Sequence, residues 1–544
     1  MELKKVNNYL EKHSLPPIKF EILEAQPASG EHPIGGRLWT HRICSCAKTS
    51  CNCAQSPNDY YDRGAMRFPD NPDMKPLFDL FKELQLPIID YVFTTNDNVN
   101  LFNSRVLTNA EVALKAQAGC YDAYQTAVEG LTGTVGDMVY KQIGGFREEL
   151  AKDREKGWAK LLEYDAWSTR GFMTLLGSLE AGRYSTEVVD YLETFSTGST
   201  MYNQALVETV LDSMAFDYPV GEGEEEIKWY TIQGGVSAIA EAMAEQITGT
   251  IANGKRVTAL APVLTKRVDP NGQAIEMGDA VDVTIHGESE PRRYSHVIST
   301  VPFGSFRLID TSACCLSWNL QSAIRSLGYD ASTKVGIKFK YRWWEQSCED
   351  SAQSSCFPKR TSKPQLGGTS YTDRPTRVVT YPSYGIGSKD ATIIVSYTWS
   401  QDALRLGAYQ GDNEDKKEVL LNAIINDLAA IHGIENPAEL RSLVVGCDIW
   451  SWYQDENAVG AFALFGPQQF SKLYCEVTQP AAYGRLHFAG EATSVYHAWV
   501  LGALASANRV LQEMRVQEPT HFVRSHSTSQ FILDLLSAGR SRGS

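Results

Sequence analysis

The residues in this chain whose types and spacing could do chemistry begin near its start. Ile18-Lys-Phe-Glu-Ile-Leu23 alternates into an apolar run, the pattern of a buried strand, and it ends on an acid, Glu24. A loop follows with Gly30, then Gly35 and Gly36, then Arg37. In a dinucleotide-binding fold, an acid closing such a strand hydrogen-bonds the ribose hydroxyls of an adenosine. Adjacent glycines let the backbone approach a diphosphate, and an arginine beside them adds charge-assisted hydrogen bonds. Each feature alone has a plainer meaning, a surface charge or a turn. The ordered set points to a nucleotide. Further on, Lys334 lies in a strand pattern where Val335, Ile337 and Phe339 share one face. The lysine therefore points the other way, toward a cavity or toward solvent. Four cysteines, Cys44, Cys46, Cys51 and Cys53, form C-x-C-x4-C-x-C, a spacing tighter than the C-x2-C of structural zinc, so no metal is expected there.

The elements that must position these residues suit a multidomain α/β protein. The chain has 544 residues, too many for one hydrophobic core. Its 43% hydrophobic and 21% charged content is that of a folded globular protein, and its net charge of −14 argues against nucleic acid as a partner. No run approaches the roughly 18 apolar residues of a membrane span. No apolar stretch follows the lysines of Met1–Asn8, which points to a cytoplasmic protein without a signal peptide. With eleven cysteines in so long a chain, a disulfide scaffold is not expected. Helical spacing predicts a helix over 73–84 and a mainly helical block over 109–216. Short strands are predicted over 256–268, 281–285, 294–301, 335–341, 377–380, 392–397 and 485–489. Helices return over 416–432 and 498–515.

The ordered pair Ile22-Leu-Glu-Ala and Ile34-Gly-Gly-Arg-Leu38 resembles a flavin-binding signature of the amine oxidase family. The resemblance continues in family order. Asp62-Arg-Gly-Ala-Met-Arg67-Phe-Pro is similar to the segment that brings the substrate-binding arginine of L-amino-acid oxidases over the flavin. Ile232-Gln-Gly-Gly235 and Pro262-Val263 are similar to the region that contacts the adenine half of FAD. Val297-Ile-Ser-Thr-Val-Pro302 is similar to the strand leading out of the flavin domain. Ser332-Thr-Lys334-Val-Gly-Ile-Lys-Phe339 resembles the strand with the family's active-site lysine. Gly367–Asp373 and 377–382 resemble L-amino-acid oxidases in particular. Trp452 to Phe462, Leu486–Glu491 and His497–Ala503 resemble the aromatic segment and the C-terminal flavin signature.

This likeness implies a discontinuous FAD-binding domain (1–70, 226–303 and 442–515), a mixed-sheet substrate domain (71–108 and 304–441), a helical subdomain (109–225) and a tail (516–544). It implies FAD held by Glu24, Gly35, Gly36, Arg37, Gly64, Ala65, Met66, Arg67, Val263, Trp452, Gly490, Glu491, Ala498 and Trp499. The implied reaction is oxidative deamination of an L-amino acid to a 2-oxo acid, with ammonia and hydrogen peroxide released and O2 as co-substrate. Arg67 would clamp the carboxylate with Tyr381, Lys334 would hold a water, and Trp452 and Trp499 would wall the pocket. Without the family, Arg67 is a loop arginine, Trp452 and Trp499 are core aromatics, and Glu491 is a carboxylate at a helix start. The sequence departs from the family in one respect. The first strand and its G-x-G-x-x-G loop would fall upstream of Met1. An incomplete reading frame, with the cysteine-rich stretch a second sign of faulty splicing, is favoured over a truncated relative that binds FAD weakly or not at all. Other flavin amine oxidases and amino-acid mono-oxygenases remain alternatives. The oligomeric state is open, and a homodimer is compatible with the sequence.

Overall fold

The computed structural model describes residues 1–43, 57–196, 198–219, 227–268, 272–348 and 356–517. The four clustered cysteines and residues 518–544 of the tail lie outside them.

The central element is a five-stranded antiparallel sheet in the order Thr369–Tyr371, Val378–Thr380, Thr392–Trp399, Ser332–Phe339, Val444–Ser451. Its strands are rich in Val, Ile, Thr and Tyr, residues that pack well on a pleated surface. Successive side chains point to opposite faces, so each face has its own composition. Val335, Ile337, Phe339, Ile393 and Val395 turn to one side, where the helix Glu414–His432 covers them with Leu420, Ile424 and Leu428. Burial of that size stabilises by roughly 1.5–3 kcal/mol per large side chain. The opposite face shows Ser332, Lys334, Tyr397, Trp399, Thr369, Tyr371 and Val378 to a cavity. The pairs Ser332–Trp399, Lys334–Tyr397 and Tyr371–Val378 are cross-strand partners, so register alone brings these side chains together.

The smaller elements expected to hold a nucleotide form sheets of their own. Ile22–Leu23 pairs in parallel with Ile251–Ala252, and Val297–Ser299 pairs in parallel with Leu486–Phe488. The two pairs are not hydrogen-bonded to each other. A long hairpin, Val257–Val268 with Ala274–Ile285, stands beside them. Phe68–Pro69, Trp229–Ile232 and Ile88–Asp90 form another three-stranded sheet.

The helical block is as expected. Its helix Val135–Lys152 begins at a reciprocal cap, in which the Thr134 hydroxyl accepts from the Asp137 amide and the Asp137 carboxylate accepts from the Thr134 amide. The helix Leu206–Phe216 carries Leu206, Val207, Val210, Leu211 and Met214 into a core shared with the hairpin and with residues 303–327. Its other face, Glu208, Asp212 and Phe216, lines the cavity. No helix among the described residues is long and apolar enough to cross a membrane.

Candidate active site

A cavity of about 1080 Å³ runs from the end of the Ile22–Leu23 strand to the lysine-bearing face of the large sheet. Of the residues expected from sequence to bind cofactor or substrate, all line it except Tyr381 and Val263.

At one end stand Glu24 and the Gly35-Gly36 turn. Burial raises the Glu24 carboxyl above its ordinary range, against the Gln26 and Ala25 amides that lower it. Gly35 and Gly36 both have positive φ, 104° and 57°, which suits glycine. Arg37 then donates to the Ala461 carbonyl at 2.7 Å and to Glu491 Oε1 at 3.0 Å. Glu491 is buried, and its oxygens also accept from the amides of Ala463 and Ala498. It therefore ties the loop at 35–37 to the start of the C-terminal helix instead of sitting free at a helix start.

The loop 62–67 crosses the middle of the cavity and is held on every side. Lys334 Nζ donates to the carbonyls of Asp62 (2.8 Å) and Gly64 (2.6 Å) and lies 3.5 Å from Met66 Sδ. Trp452 Nε1 donates to the Arg63 carbonyl at 3.0 Å. The Arg63 guanidinium is clamped by the two hydrogen bonds it donates to the Asp448 oxygens, at 2.9 and 2.7 Å. It lies 4.3 and 4.2 Å from the Trp39 and Trp450 rings. The Asp62 carboxylate accepts from the Thr40 hydroxyl (2.6 Å) and the Val236 amide (3.2 Å). Burial lowers Lys334 to about 7, against the opposing pull of Asp62 and with help from Arg67.

Arg67 ends this loop. Its guanidinium lies 4.7 Å from the Phe93 ring, 5.5 Å from Phe216, 5.8 Å from Trp229 and 5.9 Å from Tyr91. It forms no ion pair with any carboxylate among the described residues. A cation taken out of water without an ion-paired carboxylate costs several kcal/mol, which an incoming anion offsets, since Asp212 acts on Arg67 only from beyond ion-pair distance.

The helix Leu206–Phe216 forms the opposite wall. Glu208 spends both oxygens on protein partners, the Phe465 amide (2.7 Å) and His497 Nδ1 (3.0 and 2.8 Å). Burial opposes a charged His497, but Glu208 outweighs it and raises the imidazole above its ordinary value. Asp212, one turn on, has the Trp499 indole N–H turned toward it. Burial and the neighbouring Glu208 raise its carboxyl to about 7, while Trp499, Arg67 and His497 pull it down.

Two sequence expectations are corrected. Tyr381 is buried away from the cavity, its hydroxyl bonded to Ser370 Oγ and His432 Nε2, both at 2.9 Å. It lies three residues past Val378, and alternation puts it on the helix-covered face of the sheet. Tyr371 and Tyr397 present their rings to the cavity instead. Val263 sits well along the hairpin strand, whereas Val257, at the strand's start, lines the cavity. Six residues of strand span about 20 Å, enough to carry Val263 clear of it. Sequence reasoning missed Asp62, Arg63, Glu208, Asp212, Tyr371, Tyr397 and His497. For Glu208 and Asp212 a signal existed: the only two charged residues of a mainly apolar helix stand one turn apart.

Comparison with known proteins places this arrangement. The profile of the family "Flavin containing amine oxidoreductase" matches residues 11–514. A putative bifunctional amine oxidase of Dictyostelium discoideum is 36% identical over 518 residues, covering 90% of this chain and 43% of that protein. The chain thus spans less than half the length of that relative. L-amino-acid oxidase 4 of Hebeloma cylindrosporum is 33% identical over 526 residues, covering 91% of this chain and 77% of the relative. A solved putrescine oxidase variant shares the fold with a TM-score of 0.62 at 15% identity, over 94% of this chain and 96% of its own. The chain therefore belongs to the flavin-containing amine oxidoreductases, enzymes whose cofactor is FAD.

Proposed function

We propose that this chain oxidises an L-amino acid to its 2-oxo acid, with release of ammonia and hydrogen peroxide. Residues 1–70, 226–303 and 442–515 would hold the cofactor, 71–108 and 304–441 the substrate, and 109–225 would cover the cavity. The residues present fit a flavin dinucleotide. A Cβ at Gly36 would meet nothing within 4 Å, and one at Gly490 only the Thr300 carbonyl at 3.9 Å, so the backbone is open to a close ligand. Glu24 would take the ribose hydroxyls, and Arg37, steadied by Glu491, would face the diphosphate. Gly64, Ala65, Met66, Trp452, Ala498 and Trp499 would border the ring system. When bound, FAD accepts the hydride from the substrate Cα and returns its electrons to O2.

The chain's own part is to bind, orient and keep dry. Arg67 clamps the substrate carboxylate with its planar fork. The hydroxyls of Tyr371 and Tyr397, rather than that of Tyr381, would complete that contact. Lys334 commits two donors to carbonyls and points its third at Met66 Sδ, a weak acceptor whose place a water would take. With an ordinary value lowered to about 7, it is largely neutral at mildly alkaline pH. The aromatic rings around Arg67 exclude water and strengthen the clamp.

One observation carries this reading: a guanidinium in the cavity wall, ringed by aromatics, with no carboxylate partner among the described residues. It favours substrates with a carboxylate over simple amines. Arg67→Ala is expected to raise KM for amino acids by about a hundredfold, a charge-assisted bond of roughly 3 kcal/mol, with bound flavin unchanged. The check is peroxide release with flavin content measured alongside, comparing each amino acid with its decarboxylated amine. Equal turnover of the amine, or an Arg67→Ala protein that loses flavin yet keeps its KM, sinks the assignment.

A further inference from the structure

Beyond the reaction lies the choice of side chain, and the helix Leu206–Phe216 bears on it. Phe216, Asp212 and Glu208 are spaced four residues apart and share its cavity face. Phe216 lies beside Arg67, where the substrate carboxylate is placed. Glu208 is neutralised by His497 and spent on the Phe465 amide. Asp212 between them forms no ion pair among the described residues, and the indole N–H of its neighbour Trp499 is turned toward it. One helical step of four residues is about 6 Å. An α-ammonium lies much closer than that to its own carboxylate, whereas the far end of a long side chain lies about that distance away.

Resting on the oxidase reading, we propose that Asp212 is the residue that reads the substrate side chain. It favours L-amino acids ending in a nitrogen donor, lysine and ornithine foremost, over apolar side chains of the same length, and it rejects acidic ones. The walls around it are aromatic, Phe93, Phe216 and Trp499, and would accept the methylene stem of such a side chain. A charge pair in so dry a site is strong, and an anion brought to the same carboxylate is disfavoured by a similar amount. The groups that face Asp212 are Glu208 from its own helix, Arg67 from the 62–67 loop, and His497 and Trp499 from the C-terminal segment. Because burial holds its carboxyl at about 7, its preference for a cation strengthens as pH rises through that value.

The test is kcat/KM by peroxide release from the flavin-loaded enzyme with L-lysine, L-norleucine, its uncharged counterpart of similar length, and L-glutamate. In the wild type the lysine-to-norleucine ratio is expected above one and rising from pH 6 to 8, roughly one unit either side of Asp212's value. Asp212→Asn should lower the ratio by about tenfold or more and improve L-glutamate, while Asp212→Glu keeps the preference. A ratio unmoved in Asp212→Asn, or an equal fall for all three substrates, overturns the proposal and leaves the oxidase reading intact. Should Asp212→Asn fail to fold, a wild-type ratio of one or below at every pH overturns it as well. No peroxide from any L-amino acid overturns both.

Discussion

At Lys334 three forces meet. The strand buries it, the Asp62 and Gly64 carbonyls take its donors, and Arg67 stands near enough to disfavour a second positive charge. A neutral amine at about 7 is the outcome, with a consequence for rate. If the neutral form is the active one, kcat/KM rises with pH through about 7 and then levels. Lys334→Met is expected to lower kcat/KM by about 10²–10³-fold and to remove that limb, read from pH profiles of peroxide release on protein of matched flavin content. A profile unchanged in shape would show that another group sets it. The sequence placed this lysine opposite Val335, Ile337 and Phe339 but left cavity and solvent open. Alternation says which face a side chain takes, not what covers that face. Tyr381 shows the same limit from the other side, since its distance from Val378 decides its face only once the pairing of Tyr371 with Val378 is known.

At the scale of elements, the loop 62–67 is the part most constrained. Arg37 packs so closely on it that a Cβ at Gly64 would fall 1.7 Å from the Arg37 carbonyl oxygen and 2.8 Å from its carbon. Both are backbone atoms, so neither can swing aside. Gly64→Ala should shift the loop, cost about 3 kcal/mol or more and empty the enzyme of flavin. The readouts are the absorbance ratio of flavin to protein and the melting temperature. Normal flavin content and an unchanged melting point would show that the loop yields freely. The helices and strands themselves were legible, because apolar periodicity is local information: the helix Glu414–His432 and the strand Thr392–Trp399 lie close to where their patterns put them. What holds the loop was not. Asp448 reaches Arg63 from 385 positions away, and Trp452 reaches the Arg63 carbonyl from 389. No spacing along the chain announces such contacts. The resemblance to a family supplied the loop's identity, and packing supplied its restraints.

Across the whole molecule, several buried groups hold protons differently folded and unfolded, and stability must follow. Burial raises Asp62 and Asp330 to about 6 and Asp212 to about 7, all above the ordinary value near 4. The folded chain then keeps protons that the unfolded chain gives up. For these acids stability is greatest below about pH 4 and declines as pH climbs to the folded values. His432 works the other way. Burial lowers it to about 3, so the unfolded chain binds the extra proton between about 3 and 6.5, and stability rises with pH in that window. Lys334, lowered to about 7, likewise adds stability with rising pH above that value. These slopes partly cancel in the wild type, and a single substitution separates one from the rest. Asp212→Asn removes the proton that Asp212 holds, leaving Glu208, His497 and Arg67 around the site. Three units of displacement set a ceiling of about 4 kcal/mol, reduced by the contact Asp212 keeps with the cavity. The melting temperature of Asp212→Asn relative to wild type should therefore climb by a few degrees between about pH 4 and 8 and flatten above. A difference constant with pH would mean that the Asp212 carboxyl titrates as it does in water, and that the cavity around it is wetter than its aromatic lining implies.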